Sequence, residues 1–243
     1  MLFDVMLPDF SKRHALAEQM EDPSLDSKRL ERTLEDLADV NTAVGGYAPS
    51  LDGIGRLLDA EGQRRYSILD VGSGSGDVAR RIADWAERRG LDVDVTGIDL
   101  STTTVDYARR RSRGYDNIAF EKSNLFELAD NRQFDVVHAA LMLHHLDGEQ
   151  AVRGLRKMGA LSRRGLVVND LHRHPVNYVG SKIVLRLLSD NPIIRHDGSV
   201  SVLRSFTRRE LSDLAYRAGL LDAEIRWWPL FRWQMVVRQN EPR

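Results

Sequence analysis

The segment Ile68–Ala79, ILDVGSGSGDVA, constrains the fold of this 243-residue chain more than any other. An apolar run from Tyr66 to Val71 stops at Gly72, Gly74 and Gly76, and Asp77–Arg89 follows with helical spacing up to Gly90. An apolar run of that length bounded by glycine predicts a buried strand, and the next segment predicts a helix with a glycine stop. Glycine is required where the chain turns sharply and a ligand must approach the backbone closely. A strand, a glycine loop and a helix start together put free N–H groups at the carboxyl edge of a parallel sheet, which suits a nucleotide-like ligand. The plain alternative is a chance glycine turn.

The pattern around this segment repeats. Strands are predicted at Val93–Ile98, Ile118–Glu121, Phe134–Leu141 and Leu166–Val168. Helices are predicted at Ser101–Arg113 and from Asp147 to about Leu161, the latter opened by Asp147 and Gln150 as a capping box. Strands separated by helices of this length imply a parallel sheet covered on both faces. Thr207 and Glu210 open one more helix, ending near Gly219, and Ala223–Trp228 and Leu230–Val237 read as two consecutive strands added antiparallel at the end. Residues 26–44 read as a helix capped by Asp26, with Leu30, Leu34, Leu37 and Val40 in register, and a short helix carrying Ile54, Leu57 and Leu58 follows. The expected division is a helical cap at 1–62, a core at 63–170, an insertion at 171–205 and a C-terminal helix and strand pair at 206–243. The insertion holds an apolar helix (Val179, Ile183, Val184, Leu187, Leu188) and a polar stretch, RHDGS.

Glycine spacing separates two ligand classes. A dinucleotide site has G-x-G-x-x-G and rests a pyrophosphate on the helix start. This chain has G-x-G-x-G, with Asp77 at the helix start and Asp70 two residues before the first glycine. Both carboxylates would oppose a pyrophosphate and so disfavour a nicotinamide oxidoreductase. S-adenosylmethionine carries no phosphate, and its ammonium and sulfonium suit acidic neighbours. Asp99, at the tip of the second strand, is placed to accept both hydroxyls of an adenosine ribose. Its plain alternative is a helix cap, a job that Ser101 does better.

With the acidic second strand (GIDLS), SNLF after the third and FDVVHAALMLHHL at the fourth, residues 66–170 resemble the class I S-adenosylmethionine-dependent methyltransferases. The resemblance implies an α/β fold: a Rossmann-like, seven-stranded, mostly parallel sheet with a reversed last strand and helices on both faces. It places the methionine end on Asp70, Gly72, Ser73 and Gly74, and the ribose on Asp99. It places adenine beside Leu100, Asn124 and Leu125, and the cofactor over Ala140 and Leu141. The family often has Asp where this chain has Asn124, whose carbonyl oxygen can still accept from the adenine amino group. The N-terminal piece and RHDGSVSVLRSFT look similar to bacterial enzymes acting on phenolic polyketides or quinone-like lipids.

Methyl transfer to a hydroxyl needs alignment and a place for the proton. Of the seven histidines, His144 is the preferred base, because it follows the fourth strand. His138 is expected to be packed inside that strand, and His145 to orient the loop. His172, His174 and His196 are weaker candidates. His172 and His174 lack a third ligand, so no metal site is expected. The first 45 residues and residues 171–205 are expected to close an acceptor pocket walled by Met142, Tyr178, Val179, Leu187, Phe206 and Trp228, although each could equally be ordinary core. Such walls favour a small hydrophobic or aromatic acceptor.

O-methylation of a phenol is the leading expectation. Against it stand N- or C-methylation, as in quinone biosynthesis, and a non-catalytic nucleotide-binding subunit. The net charge of −1 gives no field toward nucleic acid or anionic membrane. The run Arg109–Arg111 suits a helix end. The absence of Cys excludes disulfides, thiol catalysis and Cys-ligated zinc. No run approaches 18 apolar residues, and the N-terminus lacks a basic leader pattern, so a cytoplasmic location is expected, with a homodimer left open.

Overall fold

The computed structural model describes residues 8–58 and 65–239. The apolar start at 1–7, read above for a leader, lies outside them. Seven strands form one sheet: β1 (Arg65–Val71), β2 (Asp92–Asp99), β3 (Ile118–Lys122), β4 (Phe134–Ala140), β5 (Ser162–Leu171), β6 (Glu224–Trp228) and β7 (Arg232–Arg238). Their order is β3-β2-β1-β4-β5-β7-β6. The first five pair in parallel, and β7 runs antiparallel to both β5 and β6. This is the expected sheet with a reversed last strand. The chain order reverses direction at β1, so the ends of β1, β2 and β4 border the crevice where such sheets bind ligands.

The helices are α1 (Ser27–Ala43), α2 (Ala48–Leu57), α3 (Asp77–Glu87), α4 (Thr102–Arg111), α5 (Gly148–Leu161), α6 (Pro175–Leu188), α7 (Pro192–Arg204) and α8 (Arg208–Arg217). One buried cluster joins β1, β4, β5 and β7 to α5 and α8. A second joins the opposite sheet face to α2, α3 and α4, and a small third one joins Val40, Leu185 and Ile194. Strand β4 is buried along almost its whole length, as a central parallel strand must be.

Three details differ from the sequence reading. Within the range expected as a cap, α2 lies in the layer that covers the sheet. Ile54 and Leu57 are fully buried there, and a Cβ on Gly53 would stand 2.7 Å from Val167. Strand β5 begins four residues earlier than expected. The RHDGS stretch, read only as polar, is the middle of a helix, α7, which Asn191 caps through Ile193 N–H with Pro192 in the first turn. At the edge, the run Arg109–Arg111 ties α4 to its surroundings: Arg110 pairs with Glu31 at 2.6 Å and Arg111 with Glu35 at 3.3 Å, both on α1.

The β5–β7 seam depends on one glycine. Gly165 has φ +153°, and a Cβ there would stand 2.1 Å from the Val237 carbonyl oxygen. Backbone cannot yield as a side-chain tip can. Gly165→Ala is expected to cost about 2–5 kcal/mol from conformational strain plus overpacking. A urea titration of the variant against the parent chain checks this; an unchanged midpoint would show that the seam can shift.

Candidate active site

The glycine loop folds as its sequence requires. Gly72, Gly74 and Gly76 have φ of +69°, +52° and +71°, a region that residues with a Cβ enter only at a cost. Gly72 N–H and Ser73 N–H both donate to the Ile98 carbonyl, tying the loop to β2. Space is the second constraint: a Cβ on Gly72 would stand 2.6 Å from Met142 Cγ, and one on Gly76 2.4 Å from Phe120.

Asp70 closes β1 and is 1% exposed. Its Oδ1 lies 2.7 Å from His138 Nδ1, and His138 Nε2 lies 2.9 Å from Ser50 Oγ. His138 is packed inside β4, as expected, with Asp70 and Ser50 as its partners. Two buried polar atoms at the loop have no hydrogen bond, Asp70 Oδ2 and Ser73 Oγ. Asp77 turns away from the loop mouth, accepting from Ser75 Oγ at 2.8 Å and Tyr47 O–H at 2.7 Å. Burial and Asp77 together push the Tyr47 hydroxyl well above its ordinary range.

Asp99 ends β2. Its Oδ2 accepts from Gly74 N–H at 3.1 Å and its Oδ1 from Ser101 N–H at 3.0 Å. Ser101 Oγ takes the helix cap, accepting from Thr104 N–H. Each Asp99 oxygen therefore keeps a free acceptor direction. Burial raises the carboxyl above its usual value, against the pull of these backbone donors. Leu100 beside it is 67% exposed and offers an apolar face. Asn124 Oδ1 accepts from Phe126 N–H at 3.1 Å and caps a short 3₁₀ turn that starts at Leu125. Leu125 itself is buried. Ala140 ends β4, and Leu141 follows with φ +51° and donates its N–H to the Asn169 carbonyl. The cofactor residues expected from the sequence lie at the carboxyl ends of β1, β2, β3 and β4.

Beyond β4 lies a cavity of about 330 Å³ between α1, α6, α7 and the β6–β7 turn. Its lining is mostly apolar, from Leu37, Val40, Val176, Val184, Ile194 and Leu230 among others. None of the six wall residues expected from the sequence lines it. Helix α6 turns the Val179–Ile183–Leu187 stripe outward, with Leu187 80% exposed, and presents Val176, Gly180 and Val184 to the cavity. Met142 packs on the glycine loop, and Phe206 is core. Among the described residues three non-glycine residues have left-handed backbone, Leu141, Leu230 (φ +60°) and Phe231 (φ +55°), and all three line the cavity.

The polar part of this wall includes Glu18, His144, His145, Asp197 and Arg232, with Asn41, Asn177, Ser181 and Ser201. His144 is 2% exposed. Its backbone N–H donates to Asp170 Oδ2 at 3.1 Å, and its Nδ1 lies 2.6 Å from Asp170 Oδ1. Burial alone would lower its pKa; Asp170 and Glu18 outweigh that and raise it to about 9. Nε2 has no hydrogen-bond partner and sits 3.5 Å from Glu18 Oε1. His145 Nδ1 lies 2.6 Å from Glu21 Oε1. His172, by contrast, is driven down to about 4 by burial, with His174 and Arg173 adding to the effect, so it is neutral near pH 7. His174 caps α6, and His196 pairs with Asp197 at 2.7 Å.

Sequence reasoning missed Glu18, Asp170 and Ser50. Asp170 had a readable signal, since, like Asp70 and Asp99, it is an acid near the end of an apolar strand. Glu18 had none, because 126 positions separate it from His144 and only the fold joins them.

Residues 68–165 match the sequence family described as a methyltransferase domain. Over 81 residues the chain is 32% identical to a malonyl-[acyl-carrier protein] O-methyltransferase of Acetivibrio thermocellus. That match spans 33% of this chain and 27% of the relative, about a quarter of its length. Among solved structures, a methyltransferase from Aquifex aeolicus superposes with a TM-score of 0.61 at 15% identity, covering 88% of this chain and 99% of the other. Human N-acetylserotonin methyltransferase superposes with a TM-score of 0.63 at 14% identity, covering 88% of this chain and 57% of the other. At these identities the superpositions establish the fold.

Proposed function

We propose, from the premise that residues 68–165 carry a methyltransferase domain of the class I fold, that this chain transfers a methyl group from S-adenosylmethionine to a phenolic hydroxyl on a small, mainly apolar acceptor. One observation carries the reading. Leu141 lines the cavity while its neighbour Met142 packs on Gly72, so the apolar cavity and the glycine loop meet at the end of one strand. A donor held on the loop and an acceptor held in the cavity would face each other across two residues.

The residues at the loop fit that donor. Asp70 Oδ2 and Ser73 Oγ, buried and without partners, are suited to the charged methionine end. Asp99 keeps an acceptor direction on each oxygen for the two ribose hydroxyls. Leu100 and Leu125 offer apolar contact to adenine, with Asn124 at its edge, and Ala140 and Leu141 form the floor. The donor supplies an activated methyl on a sulfonium; the chain supplies alignment, which alone removes much of the barrier. On the acceptor side His144 presents Nε2 to the cavity, with Asp170 fixing the ring; because its pKa is raised to about 9, it is assigned to receive the acceptor's proton in its neutral form, so turnover is expected to rise with pH toward 9. The O-methyltransferase name of the Acetivibrio relative supports transfer to oxygen. The small, apolar cavity supports a compact aromatic ring over a peptide or nucleic acid.

Two measurements test this. Calorimetry is expected to show S-adenosylhomocysteine binding while NAD is silent. A labelled-methyl screen is expected to find turnover on phenols and little on amines of the same size. Binding of NAD in place of the thioether, or label appearing only on amines or carbon, would overturn the respective half of the reading.

A further inference from the structure

We propose that Glu18, His144 and His145 form a binding site for a divalent cation of the zinc type, set in the wall of the acceptor cavity. Among the described residues these three bring one donor atom each to within 4.8 Å of one another. No metal was expected from the sequence, where the histidine pair was read with only one member facing the site. The short turn after β4 instead stacks the two rings, with centroids 4.3 Å apart and planes 32° apart. Both Nε2 atoms then converge on one carboxylate: His144 at 3.5 Å from Glu18 Oε1 and His145 at 3.9 Å from Glu18 Oε2.

Each ring is prepared in the same way. His144 Nδ1 is 2.6 Å from Asp170, and His145 Nδ1 is 2.6 Å from Glu21. A carboxylate on Nδ1 holds the proton there, the orientation that metal-bound histidines receive from their outer partners, so that a cation enters at Nε2 by displacing the proton from that nitrogen. His144 Nε2 is buried and has no hydrogen bond, so an atom that needs a partner points at the cluster. Glu18 is equally fixed. Ser201 Oγ donates to its Oε1 at 2.9 Å, and Asp197 on α7 accepts from Gln19 and Met20 N–H at 2.8 and 3.0 Å. Arg13 donates to the His144 and Leu146 carbonyls, clamping the N-terminal segment to the histidine turn.

Donor type selects the ion. Three carboxylates, on Glu18, Glu21 and Asp170, stand against three guanidiniums: Arg204, 2.8 Å from Glu21 and 3.8 Å from Glu18, and Arg13 and Arg232, whose charges act on Asp170. Two imidazoles and one carboxylate suit zinc and its neighbours and disfavour calcium and magnesium, which prefer all-oxygen shells. The same donor set with one open position is that of reactive zinc sites. All three ligands line the cavity, so the open position faces the acceptor. An acceptor hydroxyl there would lose its proton to water. Its oxygen would then form the new C–O bond while the S–CH₃ bond breaks with its electron pair kept by sulfur. With the cation bound, His144 is a ligand and not the proton acceptor; the site rests on the proposed function only for the presence of the acceptor.

The test needs neither donor nor acceptor. The full chain is stripped with a chelator and titrated with zinc by calorimetry, then with cobalt by visible absorption. One saturable site and d–d bands of low-coordinate cobalt are expected. Glu18→Gln and His145→Ala should each abolish saturable binding, Glu21→Gln should weaken it about 10–100-fold, and His174→Ala should leave it unchanged. His145 is a third exposed, so its variant is expected to fold, checked by circular dichroism. No saturable site in the parent chain, or equal zinc affinity in parent and His145→Ala, would overturn the proposal. Binding of S-adenosylhomocysteine, measured on the same stripped protein, reports separately on the proposed function.

Discussion

Replacing Asp99 by Ala is expected to weaken S-adenosylhomocysteine binding at least about a hundredfold. Two ribose hydroxyls donating to a carboxylate are each worth about 1.5–3 kcal/mol, and every 1.4 kcal/mol is a factor of ten. The effect has a second source. Asp99 holds Gly74 N–H and Ser101 N–H, so Ala leaves both donors unpaired and loosens the loop beneath the ligand. Asp99→Asn separates the two sources. Its carbonyl oxygen still accepts from one backbone donor, while the charge offered to the ribose is gone. Calorimetry on both variants decides the matter: parent-like affinity in Asp99→Ala would remove the ribose assignment. Parent-like affinity in Asp99→Asn alone would assign the loss to the loop.

Replacing His144 by Ala is expected to slow turnover by about 10²–10⁴-fold, the usual range for a lost proton-transfer group, with donor affinity nearly intact. His144 does not touch the glycine loop, and its side chain works on the cavity side. The same change also strands two buried carboxylates. Asp170 is 1% exposed and Glu18 6%, and removing the partner of a buried charge costs about 3–5 kcal/mol. In a chain of this size about 2–4 °C of melting temperature goes with each kcal/mol, so a drop of roughly ten degrees is expected. Assays well below the new transition keep the two effects apart. Unchanged turnover at full folding would discard His144 from the reaction, whether it acts through a proton or a cation.

The succession of strands and helices, the glycine loop and the acidic strand ends were legible because they depend on local rules (apolar runs, glycine spacing, caps), while the seven-stranded sheet with its reversed last strand came from the resemblance. Asp70, Asp99 and the β4 end stand where those rules put them. The cavity was not legible, for a different physical reason in each place. On α6 the sequence reading sets Tyr178, Val179 and Leu187 toward the pocket, but the inward face is set by where α1 and α7 pack. On α7 polar residues are buried because they hold another segment: Asp197 accepts two backbone donors near Glu18, and Arg204 reaches Glu21. Such residues look solvated in a sequence. The Glu18–His144 approach joins parts of the chain too distant for any periodicity to register.

The left-handed backbone at Leu141, Leu230 and Phe231 bears on how this protein would respond to selection. Each such residue forfeits about 1–2 kcal/mol that glycine would recover, yet each contributes a side chain to the acceptor's surroundings. A search for heat-tolerant variants would therefore be drawn to glycine at 230 or 231, and would gain toughness by erasing side chains from the wall of the cavity proposed to hold the acceptor. Robustness and selectivity oppose each other here at three known positions.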